Sequence, residues 1–330
     1  MRGGVFAGER LLPRSVVRCP SPSFVSHPRT STAELQELLW ESIVSTVERL
    51  KAMHPRLVLD RIGIAIPGPV GENGAVRVAP PLWGKAERVF RLRDRIEKNL
   101  NMHCVVVNDM TAVTAWYGHL PSLRRHRLIC VVTVSSGIGN KVFDTRAREF
   151  LMDSRGLSGE IGHVMISTGP EAFRCDCGAR GHLSAVASGR GAARFAQHWA
   201  SAHPVLFKRS AMAKWVNGRP SEITTMHLAQ GARVGDRFVL EILEHVTFPM
   251  GQALSILLGG VGIEKIVVVG GFALGVGRPY LRALQNSLIR VELFGRSASD
   301  IRRLVRLGSR DDDVGLKGLG LILQNQEPEP

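Results

Sequence analysis

Residues 127–144 read RLICVVTVSSGIGNKVFD. The β-branched run from Leu128 to Val134 predicts a strand, the SSG at 135–137 predicts a tight turn, and IGNKVFD predicts a second strand closing a hairpin. Outward from this hairpin the same grammar repeats. LVLDRIGIAIPGPV (57–70) reads as a strand running into a Pro-Gly-Pro turn, and HCVVVNDM (103–110) as a short buried strand ending in polar residues. TAVTAWYGHL (111–120) and MGQALSILLGGVG (250–262) read as helices, and KIVVVGGF (265–272) as a buried strand ending in two glycines. STAELQELLWESIVSTVERLKAMHP (31–55) has apolar residues at helical spacing, with Ser31 and Thr32 as candidate caps and Pro55 as terminator. Strands alternating with helices predict an α/β architecture. In open α/β sheets ligands gather at the carboxyl ends of strands, and four such ends are polar or glycine-rich here: 67–69, 108–109, 135–139 and 270–271. The tail NQEPEP (325–330) is expected to fray.

Composition narrows the class. A chain of 330 residues with 44% apolar and 22% charged residues is long enough for two domains, each with its own core. No apolar run reaches the roughly 18–20 residues of a membrane span, and MRGGVFAGERLLPRS lacks the apolar middle of a secretion signal. A cytoplasmic protein with reduced thiols is expected, since Cys19, Cys104, Cys130, Cys175 and Cys177 form no disulfide framework. The net charge of +14 invites a nucleic-acid reading, but the cations are dispersed apart from LRRHR (123–127) and IRRLVR (301–306). Neither a nucleic-acid nor a membrane partner is expected.

The stretch FRCDCGARGHLSAVASGRG (173–191) raises a second question. Cys175, Cys177 and His182 lie within eight residues, with Gly178 and Gly181 free to turn the chain between them. Zinc takes four nitrogen or thiolate ligands, and His163, twelve residues before Cys175, would complete a two-Cys, two-His set. Two unliganded thiols beside surface histidines are the competing reading, and chemistry alone divides the two evenly.

SGEIGH (158–163) followed by CDCGARGHLS (175–184) resembles the signature of the ROK family of repressors, open reading frames and sugar kinases, usually GEIGH and then CxCGxxGCxE. IGIAIPGPV, VVVNDMTAV, TVSSGIGNK, VVVGGF and DDDVGLKGLGL match further blocks of that family in the same order. The resemblance implies a two-lobed actin-like ATPase (ribonuclease H-like) fold with a ligand cleft between lobes. Residues 1–118 with a C-terminal helix at about 310–330 would form the N-terminal lobe, and 119–309 the C-terminal lobe with the zinc loop.

It also implies ATP-dependent transfer of a phosphoryl group to a hydroxyl of a hexose or sugar-like C7 cyclitol, in aminocyclitol antibiotic biosynthesis in the latter case. Asp109 would be the general base, and Asn108, Glu160 and His163 would hold the small-molecule acceptor. Ser136, Gly137, Gly139, Gly270 and Gly271 would meet ATP and its Mg2+, and His163, Cys175, Cys177 and His182 would bind a structural Zn2+. The bland alternative for Asp109 is a helix cap. A non-catalytic sugar sensor or a degenerate kinase relative is the alternative for the whole, and a homo-oligomer is open, since family members form dimers or tetramers.

Departures from the family pattern carry expectations of their own. Asn140 and Lys141 replace two glycines of the GTGIGGG loop, Ser184 replaces a sugar-binding glutamate, and Pro81 stands near a usual asparagine. The two changed sugar contacts predict an acceptor other than plain glucose. MRGGVFAGERLL resembles the piece that follows the family's first strand and DxGGT phosphate loop, so that strand and loop are expected to be missing. Its neighbours would then expose unpaired backbone groups and apolar side chains.

Overall fold

The structure, a computed structural model, describes residues 1–71, 73–84 and 86–325; most of the tail expected to fray, 326–330, lies outside the described residues. In chain order the long elements are α1 (Thr32–Met53), β1 (Arg61–Ile66), β2 (His103–Asn108), α2 (Asp109–His119), β3 (Leu128–Val134) and β4 (Ile138–Asp144). They continue with α3 (Gly189–Ala202), α4 (Arg237–Gly260), β5 (Lys265–Val269), α5 (Arg278–Arg290), β6 (Val305–Leu307) and α6 (Val314–Asn325). The chain forms two compact units, one of residues 1–124, 148–158 and 311–330, the other of 125–147 and 159–310.

In unit 1, α1 starts where the sequence predicts. Ser31 Oγ accepts from Glu34 N–H while the Glu34 carboxylate accepts from Ser31 N–H, a capping box whose loss costs about 0.5–2 kcal/mol. Its buried face, Leu35, Leu39, Ile43 and Val47, joins Ile66, Val106, Leu92 and Ile96 in one core. β1 and β2 pair in parallel, Ile66 opposite Asn108. The helix at the chain's end, α6, packs closely on α2 through its glycines: a Cβ at Gly318 would lie 1.8 Å from Ala112 O of α2. That contact explains a glycine which, inside a helix, costs about 1 kcal/mol relative to alanine.

Among the described residues β1 pairs with β2 alone, and β1 lines a cavity of about 740 Å³ together with Ile43 and Val47 of α1 and Leu316 and Leu319 of α6. Two small antiparallel ribbons, Arg2–Gly3 with Val17–Arg18 and Phe6–Ala7 with Arg10–Leu11, were not legible in the sequence, being only two residues per strand.

Unit 2 is built on the hairpin. β3 and β4 pair antiparallel with Val134 opposite Ile138, and β5 lies parallel to β3 on its other side, followed by β6. Cys130, Val132 and Val134 of β3, with Ile266 and Val268 of β5, face Leu243, Val246, Met250 and Leu254 of α4 and Leu284 and Leu288 of α5. Val131 and Val267, which alternate with them, are also fully buried, so both faces of the sheet are covered. The helix read at 250–262 begins much earlier, at Arg237, where Asp236 accepts from Phe238 and Val239 N–H. Pro249 lies inside it, and a sequence reading that treats proline as a stop sees only the second half.

The two arginine runs, distant in sequence, converge at the amino-terminal ends of β3, β5 and β6. Burial first, then Lys265 and Arg125, push the His126 imidazole below its usual value. No helix among the described residues is long and apolar enough to cross a membrane.

Candidate active site and metal centre

Unit 1 contributes Asn108 and Asp109, at the junction of β2 and α2. The strand must end there because Asn108, with extended backbone (φ −65°, ψ 145°), turns its Oδ1 onto Met110 N–H at 2.9 Å and so caps α2. Its Nδ2 donates to Gly68 O in the Pro-Gly-Pro turn at 2.9 Å, tying the ends of the two parallel strands together. Asp109 is the first helical residue, and its Oδ1 accepts from Met110 N–H at 2.8 Å. Asn108 is the cap residue of α2 and Asp109 shares the same N–H, so capping and a chemical role for Asp109 coexist. The Asp109 side chain is exposed and lines the cavity beside β1.

Unit 2 contributes the other residues, in two clusters. The first lies at one end of the sheet. The turn between β3 and β4 is closed by Ser135 N–H donating to Gly137 O at 2.9 Å, with Ser136 exposed. Gly270 and Gly271 follow β5, whose Val269 is in register with Thr133 of β3, so the two glycine turns meet. A Cβ on Gly270 would lie 2.6 Å from Val134 O, and its φ of 97° is open only to glycine; the fold itself demands this residue. Gly137 is the opposite case, since a Cβ there meets nothing within 4 Å.

Asn140 and Lys141, the two departures from the family loop, lie inside β4 and not in the turn. Both are buried, opposite Val132 and Val131, so neither crowds the Ser135–Gly137 segment.

The second cluster holds Glu160, His163 and the cysteine loop. Asn140 N–H donates to Gly159 O at 2.8 Å, which pins the start of this loop to β4. Ile161–His163 forms a single helical turn that sets His163 three residues from Glu160, His163 Nε2 lying 3.9 Å from Glu160 Oε2. Cys175 begins a knuckle in which its N–H donates to Ala179 O at 2.8 Å and its carbonyl accepts from Gly178 N–H at 2.9 Å. An isolated bridge between Met165 and His182 brings the knuckle against the His163 segment. One ligand atom each from His163, Cys175, Cys177 and His182 then falls within 4.8 Å of all the others.

His163 Nδ1 lies 3.3 Å from His182 Nδ1, and Cys177 Sγ 3.2 Å from the same nitrogen. A tetrahedron with metal–nitrogen bonds of about 2.0–2.1 Å has nitrogen–nitrogen edges of roughly 3.3–3.4 Å, which the His163–His182 edge matches, while the sulfur–nitrogen edge is shorter than the roughly 3.5 Å of a zinc site; the donor set suits zinc in chemistry. Ligation through Nδ1 leaves His163 Nε2 on the Glu160 side. Burial pushes the Cys175 thiol above its usual value, and a bound cation is what such a buried thiolate needs. Cys104 and Cys130 are pushed up to about 12, chiefly by burial, and are inert.

Sequence reasoning missed two residues that hold these clusters in place. Asp176, between the cysteines, and Arg190, on α3, lie 2.9 Å apart, and no motif marks either. Ser184 packs its Oγ within 2.3 Å of a Cβ position on Gly162, between Glu160 and His163.

Comparison with known proteins gives one consistent result. The ROK family model matches residues 22–323. The chain is 35% identical over 307 residues, 93% of its length and 86% of the relative's, to a C(7)-cyclitol 7-kinase of Streptomyces hygroscopicus subsp. jinggangensis (strain 5008). It is 31% identical over 293 residues, 83% of its length and 76% of the relative's, to a 2-epi-5-epi-valiolone 7-kinase of Actinoplanes sp. (strain ATCC 31044 / CBS 674.73 / SE50/110). Among solved structures, a ROK hexokinase from Thermus thermophilus superposes with a TM-score of 0.71 at 25% identity, covering 98% of this chain and 93% of that one.

Proposed function

The chain belongs to the ROK family, and from that premise we propose that it is an ATP-dependent kinase whose acceptor is the exocyclic hydroxymethyl group of a sugar-like C7 cyclitol. The observation that carries the acceptor is the kinship, along most of the chain, with relatives named C(7)-cyclitol 7-kinase and 2-epi-5-epi-valiolone 7-kinase. Two changed contacts agree with it. Ser184 and Pro81 stand where the family usually has a glutamate and an asparagine, and a site that exchanges a carboxylate for a shorter hydroxyl and loses an amide selects against the ring that needed them.

In this reading Asp109 accepts the proton of the acceptor hydroxyl as its oxygen attacks the γ-phosphorus of ATP. The new oxygen–phosphorus bond forms, the bond from the γ-phosphorus to the bridging oxygen breaks, and ADP leaves. Asn108 keeps one amide hydrogen beyond the one given to Gly68 O and donates it to a ring hydroxyl. Glu160 accepts from neighbouring hydroxyls, and His163 Nε2 orients one more. Ser136, Gly137 and Gly139 present the hydroxyl and amides of the turn to the phosphates, while Gly270 and Gly271 let the nucleotide lie close to the backbone. Mg2+ accompanying the nucleotide supplies charge neutralisation to the phosphates. His163, Cys175, Cys177 and His182 would hold Zn2+, which would supply rigidity to the loop that carries Glu160.

A panel of hexoses and C7 cyclitols, assayed with Mg2+ and ATP for ADP release, tests the proposal. The expected result is turnover at least tenfold faster on a hydroxymethyl-bearing cyclitol than on glucose. Preference for glucose overturns the acceptor, and sugar binding without turnover on any acceptor overturns the kinase.

A further inference from the structure

The metal knuckle and the turn between β3 and β4 are some forty residues apart in sequence, yet one side chain joins them. Arg190, at the start of α3, donates its Nε–H to Ser136 O at 3.3 Å, and the same nitrogen lies 2.9 Å from Asp176 Oδ2. One helical turn on, Arg194 Nη1 holds Asp176 Oδ1 at 2.9 Å. Both oxygens of the carboxylate between Cys175 and Cys177 are therefore gripped by two arginines on one face of one helix. The backbone adds a second tie, since Gly189 N–H donates to Ser135 O at 2.7 Å. Ser188 caps α3, its Oγ accepting from Gly191 N–H at 3.0 Å, which fixes where the helix and its arginines begin.

We propose that the Asp176–Arg190 pair couples the metal knuckle to the nucleotide loop, so that metal occupancy tunes nucleotide affinity and Arg190 is a positioning residue for the Ser136 peptide. This rests on the reading of the Ser135–Gly139 segment as the phosphate loop. The logic is mechanical. An ordered knuckle fixes the Asp176 carboxylate, the carboxylate fixes the Arg190 guanidinium, and the guanidinium holds the carbonyl of the residue whose hydroxyl and amide face the phosphates. When the knuckle is released, Arg190 loses its anionic partner and the Ser136 carbonyl loses a fixed donor.

Coupling of this kind is reciprocal, so bound nucleotide must tighten metal binding by the same factor. Because all three side chains are partly exposed, solvent screening limits the effect to about three- to fivefold.

The test is a linkage measurement on the full chain. The dissociation constant of a non-hydrolysable ATP analogue with Mg2+ is measured with zinc bound and after chelation, and zinc affinity is measured by chelator competition with and without the analogue. In the wild-type protein both ratios should be about three to five. In Asp176→Asn and in Arg190→Ala both should fall to one, with one zinc per chain retained, KM for ATP raised and kcat and the acceptor KM unchanged. Ratios that persist in both variants overturn the coupling, as does loss of zinc from Asp176→Asn, which would make Asp176 a part of the knuckle alone. A wild-type protein that binds no nucleotide at all removes the kinase reading, and this proposal with it.

Discussion

Two glycines at the turn end of the unit 2 sheet, Gly137 and Gly270, should respond to alanine in opposite ways. At Gly270 the backbone has φ 97° and ψ 148°, a region closed to side chains, which costs about 1–3 kcal/mol for alanine. The added Cβ would also sit 2.6 Å from Val134 O and 2.7 Å from Thr133 Oγ1, in the middle of the strand packing, for about 1–3 kcal/mol more. Gly270→Ala should therefore destabilise the protein by roughly 2–6 kcal/mol and lower its melting temperature by roughly 5–20 °C. At Gly137 the φ lies outside the left-handed region and a Cβ meets nothing within 4 Å. Gly137→Ala should leave the melting temperature unchanged or slightly raised, because alanine also reduces the freedom of the unfolded chain.

Under the proposed reading of this turn as the phosphate loop, the methyl group at Gly137 nevertheless intrudes on the phosphate, and a misfit of about 1–3 kcal/mol weakens nucleotide binding roughly five- to 150-fold. Thermal melting by circular dichroism, paired with titration of a non-hydrolysable ATP analogue, measures both quantities. Wild-type affinity in Gly137→Ala refutes the assignment of the loop, and wild-type melting in Gly270→Ala refutes the steric argument at the strand end.

Asp109→Asn should lower kcat by at least a hundredfold while leaving acceptor affinity within a few-fold, read from steady-state kinetics and binding; an unchanged rate removes Asp109 from its role. Elemental analysis of protein purified without chelators should find about one zinc per chain, and Cys177→Ala should find none. Asp153, in the loop that leads to Gly159, is held down to about 2, first by the Ser158 hydroxyl and then by the N–H groups of Leu157 and Arg155. A depressed carboxyl stabilises the fold above its unfolded value near 3.9 and loses that contribution as pH falls through about 2. The stability difference between wild type and Asp153→Asn, followed by urea unfolding, should therefore be constant near neutrality and vanish toward pH 2.

Much of this protein was legible from residues near one another in the chain. The β3–β4 hairpin, the capped start of α1, the parallel strands ending in Pro-Gly-Pro and in Asn-Asp, and the two-Cys, two-His grouping all follow from local sequence. Strand periodicity, capping and turn formation act over a few residues, and motif spacing records them. Three things did not follow. The extent of α4 was hidden because Pro249 removes a donor that a long, well-buried helix does without. The demand for glycine at Gly318 and at Gly270, against the open space at Gly137, arises from atoms far away in sequence that approach only once the sheet and helices pack. The Asp176–Arg190–Ser136 connection joins three segments that no motif relates, since a side chain's partner across a fold is set by where packing leaves its charge. Sequence alone therefore determined the main strands, the first helix and the grouping of candidate residues, because capping, periodicity and turns act locally; packing alone decided which glycines the fold demands, which stand in open space, and how the Cys175–His182 loop is tied to its neighbour, because those partners are far apart in the chain.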